Sequence, residues 1–188
     1  MPFHFTDHLR ELMADIAATC PELRHVDMSR VAVSFAQARH ARLDGVYACV
    51  HPLRFPDGGA ELRRPRATYA MPRVLVGGTE MLYVVEFRLP RFMGLPFEEK
   101  VATVVHEMYH ISPKFDGTLR RFAGSKPYHT GSQKRYDAAM GQIARAYLAA
   151  TRRPELHAFL RHSFDSLAAA HGGLVGLRVR RLNPRRVR

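Results

Sequence analysis

The order of patterns along the chain predicts an α+β domain, because a helical pattern is followed by strands and then by further helices. The chain has 188 residues, of which 46% are apolar and 24% charged. This length and balance suit one folded domain with its own core, and they exclude a disordered or fibrous chain. We expect that domain to span residues 1–172 and a basic tail to span residues 173–188.

Local patterns mark the first helix and the first strands. Over residues 6–18 the apolar side chains recur at helical spacing, with Thr6 as the predicted N-cap and Pro21 beyond the end. Residues 31–35 and 46–50 are rich in valine and aromatic side chains, which is typical of strands. The chain is therefore expected to begin with an amphipathic helix that packs on a sheet.

Glycine and proline mark the turns that follow. Gly77-Gly78 predicts a hairpin between residues 73–76 and 81–87, and a hairpin favours an antiparallel sheet, here of three or four strands. Residues 53–67 carry proline, glycine and several arginines. We expect them to form an exposed loop or a weak edge hairpin.

Helices are expected again in the second half of the chain. Pro96 suits the first turn of a helix that runs to about residue 112, where Pro113 stops it. Apolar spacing predicts two further helices, over residues 132–151 and 154–170.

The helix that begins near Pro96 contains His106-Glu107-Met108-Tyr109-His110, an HExxH motif. Residues four apart lie on one face of a helix, so both imidazoles can reach one Zn²⁺ at about 2.0–2.1 Å. Glu107 then lies beside the ion without binding it, where it can take a proton from the water that zinc activates. A chain of this composition would contain the motif by chance about 0.03 times. The motif therefore predicts a catalytic zinc site.

A catalytic zinc needs a third protein ligand. A glutamate on a later helix is disfavoured, because Glu155 is the only one after the motif. His129 lies just before the next predicted helix, where a turn at Gly131 could direct it to the metal. Asp116, six residues after His110, and the remaining histidines are the alternatives. We expect His106, His110 and His129 to bind the ion.

Other polar residues have possible roles beside the zinc. Tyr128 is a candidate donor to the developing oxyanion, with packing as the alternative. Asp116 or Asp137 could hold a ligand imidazole, although either could instead be a cap or a surface ion pair. Arg120 and the adjacent Arg121 could bind a carboxylate or phosphate, or fix the loop to Asp116.

Residues 105–122, VHEMYHISPKFDGTLRRF, followed by residues 128–133 and by Tyr136-Asp137, resemble small bacterial and phage metallopeptidases related to the SprT-like zincins. Similar segments upstream extend the resemblance to residues 5–150. It implies a minimal zincin domain: an N-terminal helix, an antiparallel sheet of three or four strands, the HExxH helix beneath that sheet and C-terminal helices. In SprT-like proteins the third ligand is a histidine followed by glycine and, one turn later, an aromatic residue. Here Thr130 separates His129 from the glycine, and the aromatic residue, Tyr136, comes later.

The charge pattern suggests a further partner. The formal net charge is +12, and half of that excess comes from six arginines near the end of the chain: Arg178, Arg180, Arg181, Arg185, Arg186 and Arg188. Such a cluster can bind nucleic acid, although charged ends are often only solvated. SprT-like members that cleave proteins crosslinked to DNA imply the same kind of partner, although this chain has no cysteine zinc ribbon.

The location is predicted from what the sequence lacks. No apolar stretch approaches the length of a membrane span, no signal-peptide pattern precedes the first helix, and two cysteines cannot form a disulfide framework. We expect a cytoplasmic protein that does not cross a membrane. The sequence does not indicate an oligomeric state.

These observations predict a zinc-dependent endopeptidase in which Glu107 is first the general base and then the general acid. A peptide substrate would extend along the sheet edge nearest the metal helix, and residues 81–87 are the candidate edge. One alternative is a basic nucleic-acid-associated protein whose zinc is structural or vestigial. Another is metal-assisted hydrolysis of a bond other than a peptide bond.

Overall fold

The computed structural model describes residues 1–38, 42, 44–121 and 133–188. The α-helices are α1 (Phe5–Thr19), α2 (Phe97–Tyr109), α3 (Gln133–Ala150) and α4 (Phe164–His171), and 3₁₀ helices cover Pro21–Leu23, Met28–Arg30, Arg91–Gly94 and Pro154–Arg161. The strands are β1 (Phe3–His4), β2 (Val31–Gln37), β3 (Ala48–Pro52), β4 (Glu61–Arg64), β5 (Ala67–Ala70), β6 (Leu75–Val76), β7 (Thr79–Glu80), β8 (Tyr83–Leu89), β9 (Leu174–Val175) and β10 (Arg185–Arg186). This composition fits the predicted α+β class. None of the described helices combines the length and apolar character needed to cross a membrane.

The central sheet has the strand order β2-β8-β3. Strand β8 pairs with β3 in the antiparallel direction and with β2 in the parallel direction. The prediction of a purely antiparallel sheet was therefore wrong. The chain between β2 and β8 is long enough to return in the same direction, which a parallel pair requires.

The predicted glycine hairpin is confirmed, but it is smaller than expected. Gly77 and Gly78 both have positive φ and join β6 to β7, each of only two residues. Residues from Tyr83 onward leave that hairpin and form the centre of the other sheet. Residues 53–67 contain the first strand of a second hairpin, in which β4 pairs with β5.

The first and the last predicted helices differ from the sequence prediction. Helix α1 begins at Phe5, one residue before the predicted cap, and its N-cap residue His4 makes no side-chain cap. Thr6 is buried instead, and its hydroxyl oxygen accepts a hydrogen bond from the Leu177 N–H (2.9 Å). The single helix predicted over 154–170 is divided, because Ser163 caps a new helix through reciprocal hydrogen bonds with Ser166.

The central sheet carries core on both faces. Helices α1 and α2 pack on one face with residues such as Leu9, Val101 and Val104, all fully buried. The other face carries a smaller cluster around Ala32 and Val84, against which three side chains of the C-terminal segment pack: Leu177, Val179 and Leu182. This arrangement lays α2 beneath β3.

The C-terminal segment is held to the domain at several points. Strand β9 pairs with β1, and β10 pairs with β5. Between those pairings the Phe35 N–H donates to the Leu177 carbonyl (3.1 Å), and the Val179 N–H donates to the Ser34 hydroxyl (3.1 Å). The segment therefore covers the outer edge of β2 and adds a strand to the β4–β5 hairpin.

Candidate metal centre

Helix α2 presents the motif because its apolar and polar faces are distinct. Pro96 precedes the first turn, where Glu98 and Glu99 favour the positive end of the helix dipole. Val101, Val104, Val105 and Met108 are fully buried on the core side, as their spacing predicts. The predicted helix is confirmed, although it ends at Tyr109 rather than near residue 112, with His110 as the C-cap residue.

His106 and His110 converge on one point. Their Nε2 atoms lie 3.0 Å apart, and the two ring planes meet at 74°. Two nitrogens that bind one zinc ion tetrahedrally at about 2.0–2.1 Å lie about 3.3 Å from each other. His110 is 8% exposed and His106 is half-buried, so one imidazole is enclosed and the other borders a cleft. The pair fits a shared metal ion.

Tyr136 of α3 packs against both imidazoles. Its ring centroid lies 5.0 Å from that of His106, nearly perpendicular to it, and 5.8 Å from that of His110, inclined by 25°. The side chain is 2% exposed, and burial raises the pKa of its hydroxyl. The sequence reasoning did not assign this residue to the site. Tyr136 belongs to the stripe of buried residues along α3, together with Met140, Ala144 and Tyr147, so its spacing indicates core packing.

Glu107 lies between the two histidines in sequence, and only 7% of it is exposed. Its carboxylate accepts a hydrogen bond from the Val50 N–H of β3. Burial raises the pKa of Glu107 to about 7, and the Val50 hydrogen bond and the charge of His51 only partly offset that effect. A carboxyl group with such a pKa can both accept and release a proton near neutral pH.

Arg120 fixes the chain where it leaves α2. Its backbone N–H donates to the His110 carbonyl (2.7 Å), its Nε donates to the Tyr109 carbonyl (2.7 Å), and its guanidinium lies 4.0 Å over the Tyr109 ring. Arg120 therefore fixes the loop to the end of the helix, not to Asp116 as one of the sequence alternatives proposed. Arg121 is exposed.

A buried tyrosine hydroxyl closes the loop that follows. Tyr83 Oη accepts from the Gly117 N–H (2.9 Å) and donates to the Thr118 carbonyl (2.8 Å). Gly117 has a φ of 84°, and a Cβ there would lie 2.5 Å from Cγ of Arg54. Only glycine fits this turn without strain and steric overlap.

Asp116 has a local role in the same loop. It is exposed, and its Oδ1 accepts hydrogen bonds from the Thr118 N–H (3.1 Å) and hydroxyl (2.7 Å). Of the roles considered for this residue, the structure therefore shows the turn cap. Among the residues that the structure describes, no third His, Cys, Asp or Glu joins His106 and His110. His129 and Tyr128 lie outside the described residues.

A cleft of about 580 Å³ opens beside His106 and Glu107. It lies between residues 45–48, the outer side of α2, and α3. Its walls include five apolar side chains: Val46, Ala102, Met140, Ala144 and Leu148. Besides Glu107, its charged side chains are Glu98, Glu99, Asp137 and Arg145. His106 and Glu107 thus border a space that can take an apolar side chain with a positive end.

The strand edge nearest this cleft belongs to β3, not to residues 81–87. Those residues largely form β8, the central strand, so the predicted edge was wrong. The Arg88 N–H donates to the Tyr47 carbonyl and the Leu53 N–H to the Leu82 carbonyl, so odd-numbered residues of β3 bond to β8. The backbone groups of Ala48, Val50 and Pro52 consequently face outward.

No protein-family model, curated protein or solved structure matches this chain.

Proposed function

We propose that this protein is a zinc-dependent endopeptidase with a zincin-like arrangement, related to the SprT-like zincins. The observation that carries the proposal is the 3.0 Å separation of the His106 and His110 Nε2 atoms, next to Glu107 and an open cleft. His129 would complete the ligand set, since it follows the motif on the chain segment that leads into α3. Tyr136 supports both imidazoles by packing its ring against theirs.

The residues divide the chemistry between them. A zinc ion bound by the histidines would supply Lewis acidity and make water nucleophilic at neutral pH. Glu107 accepts the proton of the attacking water and passes it to the leaving amine. Its small exposed fraction limits competing solvent at the carboxylate. The site is thus organised for hydrolysis of a neutral backbone amide.

The substrate would bind as an extended strand along β3. The outward N–H and carbonyl of Ala48 and the outward carbonyl of Val50 offer hydrogen bonds to such a strand, whereas the Val50 N–H is bonded to Glu107. The cleft lies at the start of β3. A side chain of the peptide would enter the cleft between α2 and α3. The two cysteines are unpaired, as in the reducing cytoplasm where we propose that the enzyme acts.

Zinc content and cleavage together test the proposal. Elemental analysis of tag-free protein should give one zinc per wild-type chain and almost none after His106→Ala, His110→Ala or His129→Ala. Asp116→Ala should keep the metal, because its carboxylate caps a turn. His162→Ala, which removes an exposed histidine, is the matched control.

Glu107→Gln separates binding from chemistry. The variant should retain zinc but cleave a fluorescein-labelled unfolded protein about 10²- to 10⁴-fold more slowly, the usual contribution of a positioned acid–base residue. Wild-type protein without zinc, or full cleavage by the glutamine variant, would contradict the proposal. Hydrolysis of a phosphoester substrate without peptide cleavage would instead support metal-assisted hydrolysis of another bond.

A further inference from the structure

A second feature of the molecule lies in the small sheet with strand order β10-β5-β4. This sheet combines two arginine-rich stretches that are far apart in sequence. Strand β4 and its turn contribute Arg63, Arg64 and Arg66, whereas the C-terminal strand contributes Arg185, Arg186 and Arg188. All six side chains belong to exposed residues. The positive charge that the sequence assigns to a terminal run is thus concentrated on a folded surface.

The register determines which residues share a face. Tyr69 lies opposite Leu62 on one side and opposite Arg186 on the other. Two pairs further along, Ala67 lies opposite Arg64. Because directly opposed side chains and side chains two apart point the same way, Tyr69, Arg64 and Arg186 share one face. We call these three residues the Tyr69 face.

Acidic side chains do not neutralise the charge on the Tyr69 face. No side-chain carboxylate among the described residues forms an ion pair with Arg64 or Arg186. The nearest acidic side chain in the register, Glu61, lies opposite Ala70 and so points to the other face. Two guanidinium groups with no acidic side chain beside them attract a polyanion.

One of these arginines is held in place by the backbone around it. Arg186 Nη2 donates to the Arg66 carbonyl (3.0 Å), and its Nε donates to the Arg188 carbonyl (3.3 Å). These bonds connect the end of the chain to the β4–β5 turn. Arg186 is therefore ordered beside the exposed Tyr69 ring, which is 36% accessible.

We propose that the Tyr69 face binds single-stranded nucleic acid. Tyr69 would stack on an unpaired base, and Arg64 and Arg186 would contact the phosphates on either side. An exposed aromatic ring flanked by arginines on a sheet matches this ligand, because single strands present both a π-face and a charged backbone. In a duplex the bases are stacked inside the double helix, so none of them is available to stack on the Tyr69 ring. Arg178 takes no part, since its guanidinium lies 5.5 Å from the Phe35 ring on the central sheet.

Fluorescence anisotropy of the full chain with a fluorescein-labelled 12-nucleotide DNA single strand tests the stacking role. Tyr69→Ala should weaken binding about 5- to 150-fold, since stacking on an aromatic side chain is worth about 1–3 kcal/mol per base. Tyr69→Phe should bind within about twofold of the wild type, because it keeps the ring. Circular dichroism of each variant distinguishes loss of contact from loss of fold.

The salt dependence tests the phosphate contacts. The double variant Arg64→Gln/Arg186→Gln should lower the slope of log affinity against log salt by about 1.4, from about 0.7 per phosphate contact. Arg24→Gln/Arg152→Gln removes the same charge from exposed residues elsewhere and should leave the slope nearly unchanged.

Three outcomes would overturn the proposal. The first is equal loss of affinity in the two double variants, which would indicate net charge alone. The second is unchanged binding after Tyr69→Ala. The third is binding of duplex DNA, heparin or anionic vesicles as tight as binding of the single strand. Because no part of the assay needs zinc or cleavage, its result is independent of the proposed peptidase activity.

Discussion

The two edges of the central sheet differ in how they are covered. At β2, Phe35 and Ser34 bond to the C-terminal segment, and the Leu177 N–H bonds to Thr6 beneath it. At β3 the outward backbone groups include the Val50 N–H, which bonds to Glu107, and no described strand pairs with that edge. An unpaired edge can accept another strand. In the function proposed above, β3 is the edge along which the peptide substrate would bind.

Removing the cover of β2 should have the largest effect. Deletion of residues 174–188 should lower the free energy of unfolding by about 3 kcal/mol, since Leu177, Val179 and Leu182 each lose about 1 kcal/mol of partial burial. Deletion of residues 183–188 removes β10 alone and should cost less than about 1 kcal/mol. Urea unfolding measures both values. Equal losses would show that the contacts at β2 do not stabilise the domain.

Blocking the other edge should affect catalysis rather than stability. Ala48→Pro removes an outward N–H of β3 and should lower kcat/KM about tenfold, mainly through KM, because one backbone hydrogen bond to the substrate is lost. Ala48→Val keeps the N–H and is the matched control for side-chain size. Zinc content should stay at the wild-type level in both. A proline variant with unchanged KM would rule out strand pairing at this edge.

The smallest expected effect concerns the attachment of β3 to β8. His51 Nε2 lies 3.8 Å from Glu86 Oε1, an ion-pair distance too long for a hydrogen bond. Burial alone would lower the pKa of His51, but the contact with Cys49 and the charge of Glu86 outweigh it and raise the pKa to about 9. Because the pKa of His51 is higher in the folded than in the unfolded protein, the protonated imidazole stabilises the folded state. This stabilisation is fully present below about pH 6.5 and is lost as the pH rises to about 9.

Unfolding curves at pH 6.5 and pH 9 measure this contribution. The wild type should lose about 1 kcal/mol more than His51→Gln over this interval, a small value because the imidazole is partly exposed. An identical pH dependence in the two proteins would mean that His51 does not help to hold β3 to the sheet.

Local features of the sequence predicted the helix that carries the motif better than they predicted the sheet. The HExxH spacing and the apolar stripe of α2 lie within 13 consecutive residues, so they correctly predict the helix. Strand pairing depends on distant segments, and the sequence analysis therefore assigned the wrong edge. Two signals were available: Pro52 cannot donate to a ladder and indicates an edge strand, and Tyr83 to Phe87 are buried throughout, as in a central strand.

The C-terminal segment was interpreted mainly from its charge. Its arginines alternate with apolar residues at Leu177 and Val179, a period of two that is typical of a half-buried strand. That pattern explains why the segment lies on the sheet. The prediction of a basic tail rested on the net charge and did not take the alternation into account. The role of Tyr136 could not be read from its spacing either, because a residue that packs on two histidines and one that packs in the core have the same periodicity.

The turn at Gly117 limits which substitutions the chain can accept during evolution. A side chain there would overlap Arg54, and the bond that the Gly117 N–H makes to Tyr83 fixes the loop directly after the second histidine. Asp116, its exposed neighbour, caps the same turn in a way that asparagine can reproduce. Two adjacent positions in this loop therefore differ sharply in the substitutions they can tolerate. Asp116 can be exchanged for asparagine, whereas Gly117 cannot be replaced without strain and overlap.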